Sequence, residues 1–152
     1  ESWNGSSWTE VNNVNDKRSV TGSNGTVTSA LIYGGEPESA ADTANTEIWN
    51  GSSWSEVNNL NTLRDQNAGT GTNSNAALSF GGQRPGVGVV ANTESWDGST
   101  WTEVNDMNTA RNGFGGNGIQ TSALGYGQDD PARSAITESW NVLVGRLLAL
   151  IT

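Results

Sequence analysis

One short phrase recurs four times along this chain. Glu1-Ser2-Trp3, Glu47-Ile48-Trp49, Glu94-Ser95-Trp96 and Glu138-Ser139-Trp140 follow one another at intervals of 46, 47 and 44 residues. The first three are each followed five positions later by a second tryptophan: Trp8, Trp54 and Trp101. A period of this length marks one supersecondary unit that has been copied. A unit so small cannot bury its apolar face alone, so the fold is decided by how the copies stack.

One period, read from Arg18 to Arg64, divides into four short strand-like segments. Segment a runs through Ser19 to Gly25 and is small and polar. Segment b, Thr28-Ser29-Ala30-Leu31-Ile32-Tyr33, is apolar and closes on Gly34-Gly35; its counterparts end in Gly81-Gly82 and Gly127-Gln128. A β-rich apolar run stopped by paired glycines reads as a buried strand ending in a positive-φ turn. Segments c (Thr46-Glu47-Ile48-Trp49) and d (Ser53-Trp54-Ser55-Glu56-Val57) flank Asn50-Gly51, or Asp97-Gly98 in the next copy. That dipeptide predicts an antiparallel hairpin with a type I′ turn, whose two central residues both take positive φ. Alternation in d places Trp54 and Glu56 on one face and Ser55 and Val57 on the other.

Composition narrows the chemistry. Hydrophobic residues make up only 33% and glycine 20 of 152, which disfavours a helical globule. The seven tryptophans must therefore supply most of the burial, at roughly 150–250 Å² each. A formal charge of −9, with Lys17 and six arginines as the only cations, argues against nucleic acid and anionic membrane surfaces as partners. The absence of cysteine removes disulfides and thiolate chemistry and leaves the redox compartment open. The absence of histidine removes imidazole acid–base catalysis, Ser-His-Asp triads and most transition-metal sites. The chain opens on Glu1 inside a repeat, so the expectation is a processed, excised or incompletely sequenced piece.

A basic residue opening the unit (Arg18, Arg64, Arg111), an apolar strand ending in Gly-Gly (Gly34-Gly35, Gly81-Gly82), then two spaced aromatics, resembles the kelch repeat of β-propellers. The resemblance runs from Glu1 to Trp140, with Trp where the family usually has Tyr at the first aromatic and with Gln128 replacing one glycine. It implies an all-β fold of four-stranded antiparallel blades: a half blade at 1–15, blades at 16–62 and 63–109, a partial blade at 110–141, and an atypical apolar tail at 142–152. About three blades fall short of the 4–8 of closed propellers, so the arc either belongs to a longer chain or is closed by a second copy. The tail reads either as an apolar strand or short helix that caps an edge, or as the product of a reading-frame slip after Asn141. Galactose oxidase shares kelch-type blades, but its copper ligands have no counterpart here and no cofactor or metal is implied.

Residues that recur read as scaffold. Trp3, Trp8, Trp49, Trp54, Trp96, Trp101 and Trp140 are expected to pack between blades, with sugar-stacking platforms as the alternative. Glu47, Glu94 and Glu138 recur in every copy, which points to structural hydrogen bonds or ion pairs rather than to an acid–base couple, and so to a chain that is not an enzyme. Asn4, Asn24 and Asn50 open N-glycosylation patterns, but two of them are the hairpin turns themselves.

Residues that vary mark the expected binding surface, because loops on a rigid scaffold carry specificity. The b–c connections, 36–45, 83–92 and 128–136, carry Glu36, Glu38, Asp42, Arg84, Asp129, Asp130 and Arg133. They are expected to share a face with the Asn-rich d–a connections at 12–17, 58–63 and 105–110. The expected function is non-catalytic recognition of a glycan or cell-surface protein in an extracellular or virion-surface setting, since the copies look like those of viral tail or adhesin proteins. The alternative is a structural module that self-assembles.

Overall fold

The computed structural model describes residues 1–38, 42–129 and 133–142, and among them the chain is all β, with no helix. It opens with β1 (Ser2–Trp3) and β2 (Trp8–Thr9). The first full unit holds β3 (Arg18–Ser19), β4 (Gly22–Thr26), β5 (Ser29–Tyr33), β6 (Glu36–Pro37), β7 (Thr46–Trp49) and β8 (Trp54–Val57). The second holds β9 (Ala68–Asn73), β10 (Ala76–Phe80), β11 (Gln83–Arg84), β12 (Gly88–Val89), β13 (Thr93–Trp96) and β14 (Trp101–Val104). The third holds β15 (Gly115–Ile119), β16 (Ser122–Tyr126) and β17 (Thr137–Asn141).

These strands form antiparallel meanders: β4-β5-β7-β8, then β9-β10-β13-β14, then the three-stranded β15-β16-β17, preceded by the β1-β2 hairpin. Their registers superimpose. Trp49 lies opposite Ala30 and Trp54, Trp96 opposite Ala77 and Trp101, and Trp140 opposite Ala123. All the sheets are open, and none closes on itself among the described residues.

Two local expectations are corrected. Segment a begins at Gly22 rather than Ser19, because Val20 takes a left-handed backbone (φ 49°) that breaks the strand; Ser19 pairs instead with Glu36. The c–d hairpin is a four-residue loop rather than a type I′ turn. Only Gly51 has positive φ (96°), while the Asn50 side-chain oxygen accepts from the Ser52 and Ser53 amides at 2.9 Å each. A side-chain carbonyl that caps two backbone donors removes the need for a left-handed Asn. Asn4 does the same in β1-β2. In the third such turn Asp97 stands there, and the amides and hydroxyls of Thr100 and Ser99 hold its carboxylate down at about 2.

The core lies between consecutive units. Leu31, Tyr33 and Leu60 meet Ala77, Trp96 and Trp101 across the first boundary, and Leu78, Phe80 and Ala68 meet Ala123 with Phe114 and Trp140 across the second. Each c-strand tryptophan also ties down the a–b turn of its own unit through its indole N–H: Trp49 to the Val27 carbonyl (2.9 Å), Trp96 to Ser74 (2.9 Å) and Trp140 to Gln120 (3.1 Å). Its ring packs tilted against the d-strand tryptophan, with centroids 5.3 Å apart in both Trp49–Trp54 and Trp96–Trp101. The glycine pairs serve the stacking. Gly35 and Gly82, both at positive φ, donate at 2.8 Å to the carbonyls of Arg64 and Arg111 in the following unit. A Cβ on Gly34 or Gly81 would stand 2.6 Å from those same carbonyls.

Candidate functional site

Each unit contains a buried arginine–glutamate pair. Arg18 donates to Glu47 at 2.9 Å, Arg64 to Glu94, and Arg111 to Glu138. The guanidinium also donates to the carbonyl at the end of the b–c connection, from Arg18 to Asn45 (3.0 Å), Arg64 to Asn92 (2.7 Å) and Arg111 to Ile136 (3.0 Å). The carboxylate in turn accepts two backbone amides of the d–a connection: Asn15 and Asp16 on Glu47, Asn61 and Thr62 on Glu94, Asn108 and Thr109 on Glu138. A buried charge pair is tolerable only when its remaining hydrogen-bonding capacity is met, and here both partners spend it on backbone. Burial pushes the Arg18 and Arg64 guanidinium groups down, and the facing glutamates pull against it. Burial also pushes the Glu138 carboxyl up, but the Asn108 and Arg111 donors outweigh it and hold it below the usual range.

The clamps put the b–c and d–a connections side by side. Leu60 donates to Ala44 (3.0 Å) and Arg64 to Thr43 (3.4 Å); one unit on, Met107 donates to Ala91 (3.1 Å) and Arg111 to Val90 (3.3 Å). The loop asparagines are largely spent on this framework. Asn61 Nδ2 donates to Glu94 and to the Trp101 carbonyl, both at 2.9 Å, and Asn59 Nδ2 donates to Asn45 (3.1 Å).

The residues that vary between copies sit on these connections. Glu36 is exposed on β6, and exposed Glu38 faces Lys17 at 3.9 Å. Asp42 is half-buried; burial and then the neighbouring Asp65 and Glu36 raise its carboxyl. Arg84, half-buried on β11, has no partner for its Nε among the described residues. Asp129 donates its amide to the Asn112 carbonyl (3.2 Å) and stands 3.9 Å from the exposed Arg133 guanidinium. Asp130 and residues 143–152 of the expected apolar tail lie outside the described residues.

Structure adds four residues to this set. Asp65 and Gln83 form a backbone bridge, Gln66 Nε2 donates to Asp65 (3.3 Å), and Asn112 Nδ2 donates to Gln66 Oε1 (3.0 Å) and Gln83 Oε1 (3.1 Å). With Asp129 on Asn112, a continuous polar band runs from the first unit boundary to the third b–c connection. Buried oxygens of Asp65 and Asn112 in this band have no partner among the described residues. The signal was present in sequence: the two positions after each unit's arginine change from Ser19-Val20 to Asp65-Gln66 to Asn112-Gly113 while the arginine stays.

No group of His, Cys, Asp or Glu among the described residues is arranged to hold a metal ion. The aromatic candidates divide by burial. Trp96 is fully covered and Trp49 and Trp101 nearly so, whereas Trp3 and Trp8 are exposed. The chain matches no protein-family model, and a search of curated proteins finds no match.

Proposed function

We propose that the chain is an arc of a kelch-like β-propeller and acts as a non-enzymatic recognition module, binding a glycan or a cell-surface protein across the face formed by its b–c connections. The observation that carries this reading is the polar band of Asp65, Gln66, Gln83, Asn112 and Asp129, set between variable loops that the buried arginine–glutamate clamps hold in place. Amide and carboxylate groups fixed in this way suit hydroxyl-rich or backbone-like ligands, which need both donors and acceptors. The charge of −9 disfavours polyanions as ligands, and the setting proposed with this reading is extracellular or virion-surface. No cofactor enters the proposal.

Retention of the chain on a glycan array or on host cells tests it. Arg84→Ala and Asp129→Ala should each abolish retention with the unfolding midpoint unchanged, because both side chains lie off the clamps. Retention that survives both changes would remove the recognition reading. A second reading, a structural module that self-assembles, is favoured by one observation: Leu124 and Tyr126 are about half exposed, although their counterparts Leu31 and Tyr33 are buried.

A further inference from the structure

We propose that Asn50-Gly51 and Asn4-Gly5 are sites of self-catalysed deamidation, at which the turn promotes attack of the glycine amide nitrogen on the asparagine side chain. Both lie in c–d turns, at the opposite end of strand c from the b–c connections, and react whether or not those connections bind a ligand.

Five Asn-Gly dipeptides occur in the chain, beginning at Asn4, Asn24, Asn50, Asn112 and Asn117, and their sequence alone treats them alike. The structure separates two from three. In the β7-β8 turn, Asn50 Oδ1 accepts the Ser52 amide, the Ser52 hydroxyl and the Ser53 amide, each at 2.9 Å. In the β1-β2 turn, Asn4 Oδ1 accepts the Ser6 amide (2.9 Å), the Ser6 hydroxyl (3.0 Å) and the Ser7 amide (2.9 Å). Three donors thus converge on the oxygen that becomes anionic when a nucleophile adds to the amide carbon, which is the arrangement of an oxyanion hole. The nucleophile is available. Neither Gly51 nor Gly5 has a partner for its N–H among the described residues. The space is open as well: a Cβ on Gly51 would find no atom nearer than 3.5 Å, and on Gly5 none within 4 Å.

The third c–d turn shows what the cradle favours and what the product looks like. Asp97 Oδ1 accepts the Ser99 amide, the Ser99 hydroxyl and the Thr100 amide, each at 2.8 Å. Those bonds, the Thr100 amide foremost, hold the carboxyl down at about 2, so the cradle stabilises negative charge on this oxygen. The turn is kept with aspartate in place. Trp96 lies opposite Trp101 there, as Trp49 lies opposite Trp54 in the Asn50 hairpin.

The other three dipeptides lack these conditions. Asn24 Nδ2 is held by the Asn73 carbonyl of the next unit at 2.7 Å. Gly25 and Gly118 lie in strand a against strand b, where a Cβ would run into the Ser29 or the Ser122 carbonyl. Asn112 is buried, and the amide of Gly113 is spent on the Gln66 carbonyl at 3.1 Å.

The chemistry needs only water as co-reactant. The Gly51 nitrogen gives its proton to water and attacks Asn50 Cγ; the N–Cγ bond forms as the carbonyl electron pair moves onto Oδ1. Collapse of that oxyanion expels Nδ2 with the electron pair of the Cγ–Nδ2 bond. The departing nitrogen takes a proton from water and leaves as ammonia; the Ser53 hydroxyl, 3.2 Å from Nδ2, is placed to relay that proton, as is Ser7 at 3.1 Å from Asn4 Nδ2. Water then opens the cyclic imide. Attack at Cγ breaks the new N–Cγ bond and gives aspartate in the Asp97 arrangement. Attack at the backbone carbonyl gives isoaspartate, which lengthens the main chain between Trp49 and Trp54.

Peptide mapping by mass spectrometry, on the chain held at neutral pH with and without urea, tests the assignment. In the folded chain Asn50 and Asn4 should convert at least about tenfold faster than Asn24, Asn112 and Asn117, whereas in urea all five should convert at similar rates. Similar rates at all five sites in the folded chain, or an Asn50 that reacts more slowly folded than in urea, would overturn the proposal. Ser52→Ala removes one donor from Asn50 and none from Asn4, so it should slow conversion at Asn50 by at least about threefold and leave Asn4 unchanged. An unchanged rate at Asn50 would overturn the role of the cradle. Asn50→Asp should leave the urea unfolding midpoint unchanged, because Asp97 already occupies the equivalent turn; a lower midpoint would overturn aspartate as the product that the fold accommodates.

Discussion

Val20 holds a backbone that its side chain disfavours. Its φ of 49° recurs at Gln66 (52°) and at Gly113 (56°), the same position in three successive units, so the conformation belongs to the repeat rather than to the residue. The reason lies in the bonds made there. The Gln66 amide donates to the Val20 carbonyl (2.8 Å) and the Gly113 amide to the Gln66 carbonyl (3.1 Å), a string that passes from unit to unit and requires the turned backbone. A left-handed non-glycine residue costs about 1–3 kcal/mol, and a β-branched one lies at the upper end. The third copy avoids this with glycine. Since Val20 is half exposed and gives up little burial, Val20→Gly should stabilise the chain by about 1 kcal/mol after the roughly 0.5–1 kcal/mol entropic cost of glycine. Urea denaturation would show this as a higher midpoint at unchanged slope; a lower midpoint would mean that the valine side chain contributes more than its exposure indicates.

The connections between strands owe their positions to the clamps, and in the Arg64–Glu94 pair, as in Arg18–Glu47, both side chains are at 0% exposure. Removing one member leaves the other as a buried, unpaired charge, which costs about 3–5 kcal/mol. Arg64→Met should therefore lower stability by about that amount, and adding Glu94→Leu should restore part of it. Lys17→Met, which breaks the exposed Lys17–Glu38 contact at 3.9 Å, should change it by less than about 0.5 kcal/mol. Equal small losses in the two single variants, measured by urea unfolding, would show that the clamp does not organise the loops. This device was half legible in the sequence: arginine and glutamate recurring at one period pointed to hydrogen bonds or ion pairs, but not to each glutamate also binding the two amides that lead into its own unit. Strands b, c and d could be read from alternation, paired glycines and the Asn-Gly turns. The start of a could not, because nothing in the residue type of Val20 announces a left-handed backbone. The polar band was hidden for another reason. Asp65, Gln83 and Asn112 are 18 and 29 residues apart in sequence and meet only when two units stack.

Because every unit buries its core against a neighbour, stability along the arc should follow how many neighbours a unit has. The second unit is covered on both faces, by the Leu31–Tyr33–Trp101 cluster on one side and the Phe80–Ala123 cluster on the other. Among the described residues the third is covered on one face only, and its Leu124 and Tyr126 are about half exposed. Opening should thus begin at β15-β16-β17 and reach β10 and β13 last. Native-state hydrogen exchange should find the amides of Leu78 and Ser95 at least about tenfold better protected than those of Ala123 and Leu124, the difference expected from about 1.4 kcal/mol of extra local stability. If a second copy covers the third unit, protection at Ala123 and Leu124 must rise with protein concentration while that at Leu78 and Ser95 stays nearly constant, since mass action stabilises only what the partner touches. Uniform protection across all three units at every concentration would contradict both expectations at once, because it would mean that the arc opens as one block whose stability does not depend on which faces are covered.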